Sequence, residues 1–480
     1  MISEKIKTFI LSILVITSII LTTQIWFNVS IEGIFVTPKN SQAISDTFIT
    51  EYDQVNLLKP NRIVINLGEV GMHTILFNEE ESNSTASVYQ RILDETENTL
   101  KSYMNKSGVD SVEIHTIEKL NTLRSGRNIE LIFENHLDVK IVSSILEISQ
   151  EMFKDIKRID SVVISSLDDK LYISDIENNA VYEYKFKKLD TAFPYIISLA
   201  EKLQNPYGVF LNEAYPELYG PKVIIPISMN SYKLPVLSGI KETDSASTAD
   251  IEDTTKNIVS KFFDFNAARS ITDKNGTTIY TDGQGKSVRI EKSGLIEYMR
   301  YDTSVNASRV ISKAEAVKIS TDFVNQHLGF PEGTYIASVE ETFQNGKHVG
   351  YNIDYKYSFM ETPIILDSNM ESNPIEVKIV GDEVKSYKRL VRVLVGTADL
   401  KEIRNPTEVL NSLFRNINTQ IGVKHTTVEN MYLGYYEHLN DKNKLLMIPA
   451  WIVEIEQKRQ DQIIKSQYII NAETSEILKY

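Results

Sequence analysis

The sequence contains no cysteine. This absence excludes disulfide bonds, thiol catalysis, palmitoylation, a lipoprotein anchor and every metal site built on thiolates. Basic residues are also in the minority: 51 Lys and Arg stand against 65 Asp and Glu, so the 480 residues carry a formal net charge of −14. This balance argues against nonspecific nucleic-acid binding, because such binding needs basic residues that release phosphate counterions. The length predicts about three domains, and a composition with 42% hydrophobic and 24% charged residues is typical of a globular chain.

Motifs of catalysis and cofactor binding are lacking as well. No two of the seven histidines have the i, i+4 spacing of a helical zinc site, and there is no G-x-S-x-G nucleophile elbow. The segment Gly283–Ser287 ends like a phosphate loop, but Tyr280 occupies the position of the first glycine, so we interpret it as a hairpin turn. We therefore expect no catalytic residues, no cofactor and no metal, and predict that the protein is not an enzyme.

Residues 8–27 form an uncharged run that is closed by Trp26 and Phe27. Twenty helical residues at ~1.5 Å each span about 30 Å, the thickness of the hydrocarbon core, and Trp favours its interface. A soluble core helix would show a polar face, and a cleaved signal peptide would have a shorter apolar run with small residues at its end. The pattern favours an uncleaved transmembrane helix over both alternatives.

The flanking charges predict the orientation of this helix. Lys5 and Lys7 precede the run, and Lys39 is the first basic residue after it. The positive-inside rule then places a cytoplasmic tail at 1–7 and residues 28–480 outside a cell membrane that the chain crosses once. Ser18 and Thr22 form a small-xxx-small pair that would let a partner helix approach closely, although such residues also occur in membrane helices without a partner face.

Beyond the membrane helix, strand-like and helix-like segments mix without strict βα alternation, which predicts the α+β class. We expect a first extracytoplasmic α+β domain at 46–190, a middle α+β domain at 191–306, and two repeats at 307–395 and 396–480. Each repeat is predicted to be one helix on an antiparallel sheet.

The repeats are predicted from features that recur 93 residues apart. Three pairs share this offset: the N-cap candidates Ser312 and Asn405, the glycines Gly329 and Gly422 after the helices, and the tyrosines Tyr387 and Tyr480. A turn between two strands recurs in both copies as a fourth feature. Agreement of several features at one offset indicates an internal duplication.

The C-terminal region is rich in aromatic residues. Tyr432, Tyr435, Tyr436 and Trp451 are candidates for an ectodomain binding surface, since aromatic side chains are enriched at interfaces. The alternative is that these residues pack in the core or pair across strands.

Two resemblances rest on these motifs. The strand Tyr468–Thr474, after a helix and earlier strands, resembles the PepSY-type module. The segments Phe262–Phe265, Thr277–Gly283 and Leu295–Tyr298, together with the N-terminal anchor and the overall length, resemble the YycH family. That family consists of single-pass membrane proteins of Gram-positive bacteria which, with the related YycI, regulate the WalK (YycG) sensor histidine kinase that controls cell-wall metabolism.

The resemblance implies a noncatalytic, membrane-anchored regulator whose partners are the sensor histidine kinase and a YycI-like membrane protein. No nucleic-acid partner is expected. Two alternatives stay open at this point. One is an extracytoplasmic protease-inhibitor or chaperone-like module, because PepSY-type repeats also occur beside secreted peptidases. The other is an extracytoplasmic enzyme that acts on wall polymers.

Overall fold

The computed structural model describes residues 52–68, 73–76, 83–105, 108–153, 155–202, 207–227, 233–240, 255–301, 309–359, 362–367, 373–417, 423–439, 445–459 and 462–479. All of them belong to one compact unit that begins at Ile49. The predicted tail at 1–7 and the predicted membrane helix at 8–27, with Ser18 and Thr22, lie outside the described residues. Within the described ranges, no helix has both the length and the apolar character that a membrane crossing requires.

Among the described residues, nine strands form a first sheet in the order β3-β7-β6-β5-β4-β1-β2-β8-β9. These strands are β1 (Arg62–Leu67), β2 (His73–Leu76), β3 (Val109–Thr116), β4 (Arg127–Asp138), β5 (Arg158–Ser165), β6 (Lys170–Asp175), β7 (Ala180–Phe186), β8 (Tyr207–Phe210) and β9 (Ile224–Pro226). The neighbouring pairs are antiparallel, as Ile63 opposite Leu131 in β1 and β4 illustrates. The sheet and its helices, residues 52–227, are the first lobe.

Helices cover both faces of the first sheet. They are α1 (Asn83–Tyr103), α2 (Lys119–Arg124), α3 (Val139–Ile145), α4 (Phe193–Ala200) and α5 (Leu211–Ala214). Ile92 of α1 and Phe193 of α4 pack with Ile63 and Leu131 on one face. On the other face, Leu120, next to the start of α2, packs with Val163. Because both faces are covered, β1 and β5 are buried over most of their length and do not show the alternation of a half-exposed strand.

The largest irregularity of the first sheet lies in β4. Ile132 of β4 lies opposite Ser161, but the next paired residue, Leu137, lies opposite Ile159, so residues 133–136 leave the regular pairing with β5. An insertion of this kind bends a strand and redirects its side chains. This part of β4 faces the other half of the molecule.

The remaining described strands form a second sheet. They are β10 (Lys233–Ile240), β11 (Arg269–Thr272), β12 (Thr278–Thr281), β13 (Lys286–Ile290), β14 (Leu295–Arg300), β15 (Thr334–Gln344), β16 (Lys347–Phe359), β17 (Thr362–Ile365), β18 (Ile375–Val380), β19 (Glu383–Leu390), β20 (Val393–Glu402), β21 (Val423–Leu439), β22 (Leu445–Arg459), β23 (Gln462–Asn471) and β24 (Ile477–Lys479). A parallel contact between β17 and β21, with Ile364 beside Tyr435, joins the two repeats. β10 pairs with β20 and β22. Residues 233–479 are the second lobe.

Among the described residues, the α-helices of the second lobe are α6 (residues 255–260), α7 (Lys313–His327) and α8 (Pro406–Ile417). The Ser312 hydroxyl accepts a hydrogen bond from the Glu315 amide, as the predicted cap requires, and the Asn405 side chain accepts one from the Thr407 amide. Gly329, directly after α7, has a φ of 65°, the left-handed conformation that favours glycine at a helix end. Gly422 lies outside the described residues. The predicted helix starts are confirmed, while the duplication and the PepSY-like identity of the repeats stay predictions.

Candidate functional site

A buried carboxylate joins the two lobes. Glu134, in the irregular part of β4, has 2% of its side chain exposed and points at the second sheet. The Lys356 ammonium of β16 lies 2.6 Å from Glu134 Oε1, the Tyr335 hydroxyl of β15 donates to Oε2 at 2.6 Å, and the Tyr432 hydroxyl of β21 lies 3.1 Å from Oε1. Three strands of the second lobe thus converge on one residue of the first.

The register of the second sheet explains this convergence. Tyr335 and Lys356 are direct cross-strand neighbours in the β15–β16 pair. Along β16, Tyr351, Ile353 and Tyr355 are buried and alternate with residues of the other face, which carries Lys356. That face would be open to solvent if the first lobe did not cover it at Lys356, whose side chain is 17% exposed.

The ion pair is held in its charged form. Burial by itself would raise the pKa of the Glu134 carboxyl, but the Lys356 charge and the hydrogen bonds from Lys356, Tyr335 and Tyr432 hold that pKa below its ordinary value. Burial would likewise lower the pKa of Lys356, and the charge of Glu134 raises it instead. Both groups are therefore ionised at neutral pH.

A second carboxyl group, that of Glu454 on β22, lies near the same Tyr432 hydroxyl that contacts Glu134. Burial and then the negative charge of Glu134 raise its pKa, so Glu454 accepts a proton more readily than an ordinary glutamate. Its Oε1 lies 3.4 Å from the Tyr432 hydroxyl and 3.4 Å from Gln467 Nε2. The Tyr432 hydroxyl thus lies between the carboxyl groups of Glu134 and Glu454.

Arg62 at the start of β1 adds a second cation to this boundary. Its guanidinium donates to the Met431 carbonyl at 2.8 Å and to Asn430 Oδ1 at 2.6 Å, and it lies 5.9 Å from the centroid of the Tyr432 ring. Burial lowers the pKa of Arg62 to about 10, so the charge persists at neutral pH. We refer to Glu134, Lys356, Tyr335, Tyr432, Glu454 and Arg62 together as the seam.

Further contacts hold the irregular part of β4 and the edge of the boundary. Lys222 pairs with Asp160 at 2.8 Å and donates to the Phe133 carbonyl at 3.0 Å, directly beside Glu134. Lys313 at the start of α7 pairs with Asp138 at 2.8 Å. Breaking one partner of a buried pair leaves an uncompensated charge that costs about 3–5 kcal/mol. The arrangement is therefore suited to fixing the orientation of one lobe on the other.

Each lobe also contains a buried ion pair of its own. Arg124 donates to both carboxylate oxygens of Glu130 at 2.9 and 2.8 Å, and Arg392 does so to Glu437 at 2.8 and 3.1 Å. The sequence-based interpretation overlooked all of these pairs. A charged residue inside an apolar strand, such as Glu130 between Ile129 and Leu131, was the signal available.

The predicted aromatic surface needs a correction. Tyr435, Tyr436 and Trp451 are 2%, 6% and 2% exposed, so they do not offer a surface to a partner in this structure. Trp451 packs against Val409 and Leu413 of α8, as the alternative of core packing proposes. Tyr432, from the same predicted set, is buried in the seam. Spacing alone does not separate an interface aromatic residue from a core one.

Two other sequence-based interpretations can be placed. Gly283–Ser287 spans the turn between β12 and β13 and the first residues of β13, so the predicted hairpin is confirmed. Among the described residues, Glu113, His115 and Glu183 have ligand atoms within 4.8 Å of one another. Lys170 lies 2.5 Å and Lys119 3.9 Å from the Glu183 carboxylate, and these ammonium groups already neutralise it. We assign no metal to this group, and the expected absence of a metal stays a prediction.

Comparison with known proteins finds a family similar to the C-terminal part of the chain. Residues 252–469 match the family model described as YycH protein, C-terminal domain. The crystal structure of YycH from Bacillus subtilis is similar, with a TM-score of 0.54 and 14% sequence identity over 87% of this chain and 98% of that chain. The C-terminal part of the chain is therefore similar to the YycH family. The resemblance found in the sequence is thereby confirmed, and the α+β fold is the one seen in Bacillus subtilis YycH.

Other comparisons add less. An uncharacterised protein from Eubacterium rectale ATCC 33656 aligns with a TM-score of 0.39 and 12% identity, over 52% of this chain and 87% of that one. Among curated proteins, none matches the sequence.

Proposed function

We propose that the protein is a noncatalytic, membrane-anchored regulator of the YycG (WalK) sensor histidine kinase. The observation that carries this proposal is the match of residues 252–469 to the C-terminal domain of YycH proteins, and the fold shared with Bacillus subtilis YycH agrees with it. The partners would be the kinase and a YycI-like membrane protein. Residues 8–27 would be the anchor in the cell membrane, with residues 28–480 outside.

The geometry of the seam supports a binding role for the outer part. A regulator shifts a two-state receptor only by the difference in its affinity for the two states, so its binding surface must keep one shape. The Glu134–Lys356 pair and the Arg62 contacts fix that shape across the boundary between the lobes. The first and second lobes would then act on the kinase as one rigid ectodomain.

Deletion of the gene tests the proposal. We expect the transcripts that the kinase controls to change, in either direction, and to return when the wild-type chain is restored. The Lys356→Met variant leaves Glu134 buried without its cation. Complementation with this variant should restore the transcript levels less than complementation with Glu341→Gln, a matched change at an exposed position of β15. Transcripts that are the same with and without the gene would contradict a regulatory role.

Contact through the membrane requires a separate test. Ser18 and Thr22 would let a kinase helix pack closely against the anchor. Replacing both residues with leucine should lower co-purification of the kinase with the full chain. Replacing Leu14 and Leu21 of the same run with isoleucine is the matched control. Undiminished co-purification of the Ser18→Leu, Thr22→Leu variant would remove this contact from the proposal.

A further inference from the structure

The two end strands of the first sheet differ in how their outer edges are protected. β9 has only three residues and ends on proline, and the chain just before it pairs through Tyr219 with Val428 of β21. β3 has eight residues without proline or lysine, and among the described residues it pairs with β7 alone. Proteins usually protect an exposed edge with a short strand, a proline, a lysine or a bulge. Apart from one bulge near its start, β3 has none of these features.

The hydrogen bonds of β7 show which backbone groups of β3 point outwards. The Phe186 amide at the end of β7 donates to the carbonyl of the residue that precedes β6. Backbone groups alternate in direction along a strand, so Glu183 directs its N–H and C=O groups to β3, where it lies opposite Glu113. The neighbours of Glu113 on β3 therefore direct these groups away from the sheet. These residues are Val112, Ile114 and Thr116. We call this side of β3 the outer edge.

The side chains beside the outer edge are apolar on one face and charged on the other. Val112 and Ile114 expose 46% and 58% of their surfaces, and the alternation of a strand places both side chains on one face. Glu113 and His115 lie on the opposite face, where the Glu113 side chain is 65% exposed and its carboxylate is 3.9 Å from His115 Nε2. Outward backbone groups and β-branched side chains make this edge suitable for the addition of another strand.

The occupant that the sequence of β3 fits is a second copy of β3. When two copies pair antiparallel about a two-fold axis, one residue lies opposite itself, and the choice of that residue sets the register. With Glu113 on the axis, two carboxylates would lie directly opposite each other, which is destabilising. With Val112 on the axis, the exposed Ile114 side chain would lie opposite Asp110 of the second copy. Both registers oppose unlike or repelling side chains.

The register with Ile114 on the axis avoids these conflicts. Glu113 of each copy then lies opposite His115 of the other, and an imidazole can donate a hydrogen bond to a carboxylate in either charge state. Val112 lies opposite Thr116 on both sides of the central pair, so β-branched side chains meet across the strands. Each hydrogen-bonded pair exchanges two bonds, which gives about six backbone hydrogen bonds between the copies.

We propose that the outer edge of β3 binds a second copy of this chain through residues 112–116, with Ile114 on the two-fold axis. The two nine-stranded sheets would then continue into each other, and the turn after Thr116 would end the paired segment. One strand edge buries less surface than the roughly 1,200 Å² of a standard interface, so the dimer should be weak in dilute solution. The proposal goes beyond regulation of the kinase and does not depend on it.

Cysteine crosslinking tests the pairing in the full-length chain, within the membranes of the cells that express it. Because the chain has no cysteine, one introduced cysteine reports on one position. Two Cα atoms in a hydrogen-bonded pair are about 5.5 Å apart, which is within the range of a disulfide. After oxidation with copper phenanthroline, Ile114→Cys should give about tenfold more disulfide-linked homodimer than Leu167→Cys. Leu167 is the control because its side chain is 76% exposed and lies outside the strands.

The position of the cysteine also decides the register. In the proposed register the two copies of Val112 are four residues apart along the strands, or about 14 Å, which is too far for a disulfide. Val112→Cys should therefore crosslink no more than Leu167→Cys, and the double variant Val112→Cys, Thr116→Cys should crosslink strongly. A yield that is highest for Val112→Cys or Glu113→Cys would overturn the register. Equal yields for Ile114→Cys and Leu167→Cys would overturn the docking of a second copy.

A variant without cysteine provides an independent test. Ile114→Lys should shift the full-length chain in detergent from dimer towards monomer in sedimentation at high protein concentration, whereas Leu167→Lys should not. Both side chains are exposed, so neither change should lower the melting temperature. If Ile114→Lys lowers it, Val112→Pro decides, because the Val112 N–H points outwards and proline there removes no hydrogen bond to β7.

Two further outcomes would contradict the proposal. One is a dimer that persists in both Ile114→Lys and Val112→Pro. The other comes from a photoreactive maleimide attached to Ile114→Cys. If this group labels a different protein and not a second copy, the outer edge of β3 binds another partner.

Discussion

The core of the second lobe and the seam between the lobes are both buried, but the core consists of apolar side chains and the seam of charged and polar ones. Around α8, Trp451, Val453 and Leu413 pack in an apolar cluster in which many contacts share the stabilisation. In the seam, one carboxylate receives donors from three strands. Removing atoms from an apolar core lowers the stability in proportion to the cavity that is left, whereas removing one partner of a buried ion pair leaves a charge that strongly destabilises the fold. The comparison indicates that charge fixes one part of the boundary between the lobes, while the apolar cluster, which includes Val223 and Ile225 of the first lobe, holds another part of it.

The largest effect is expected in the apolar core. Trp451→Ala should lower the free energy of unfolding by about 4 kcal/mol, because it removes a large side chain and leaves a cavity against α8. Chemical denaturation followed by circular dichroism measures this loss. Leu439→Ala, at a side chain that is 43% exposed, is the control and should change little. A loss below about 1 kcal/mol for Trp451→Ala would mean that this cluster is not a main source of the stability of the second lobe.

A somewhat smaller effect is expected in the seam. Lys356→Met should cost about 3 kcal/mol at pH 7, because Glu134 then keeps its charge in the interior without a cation. Adding Glu134→Leu should restore part of the stability, since the double variant lacks both members of the ion pair, although the Tyr335 and Tyr432 hydroxyls then lose Glu134 as their acceptor. The two single variants and the double variant form a thermodynamic cycle. If the double variant is no more stable than Lys356→Met, the ion pair is not the source of the loss.

The first lobe should lose stability in acid because of a buried histidine. His73 is 1% exposed, and burial, together with the nearby Arg124 charge, lowers its pKa to about 4 from 6.5. The folded state thus disfavours the proton, so stability is complete above pH 6.5 and falls as the pH drops towards 4, by roughly 2–3 kcal/mol. Glu134 has a lowered pKa, and its contribution is lost only when the pH falls below the ordinary glutamate range.

His73→Gln tests this window. His73 Nδ1 lies 2.7 Å from Asn66 Oδ1, and glutamine supplies a donor at this position without titrating. Thermal unfolding between pH 7 and 4 should show a shallower decline of stability in the variant than in the wild type. Equal slopes in wild type and His73→Gln would mean that another group sets the decline.

The smallest effect is expected on the surface. Lys318 and Asp322 of α7 pair at 2.8 Å with 65% and 50% of their side chains exposed. Lys318→Ala should change the free energy of unfolding by less than about 0.5 kcal/mol, because solvent and salt screen such a pair. Denaturation in low and high salt checks this. A larger loss here would weaken the contrast between exposed and buried charges.

Local features could be predicted from the sequence, but contacts between residues that are far apart in the chain could not. The cap at Ser312 and the hairpin at Gly283 were predicted because their signals lie within a few neighbouring residues. Glu134 and Lys356 are 222 positions apart, and no local pattern links them. The irregular part of β4 that turns Glu134 towards the second lobe leaves no turn signal such as glycine or proline between Ile132 and Leu137. The seam could therefore be identified only from the three-dimensional structure.

The position of β10 determines the order in which the second sheet can be completed. β10 is the first strand after the first lobe, yet it lies between β20 and β22, where Leu237 faces Thr397 on one side and Met447 on the other. Because the chain is synthesised from its N-terminus, β10 is made before β20 and β22, the two strands with which it pairs. The first lobe can reach its final pairing while the second sheet still has a gap. A chain interrupted before β22 would leave this strand with an open edge, the surface at which unfinished proteins join to one another.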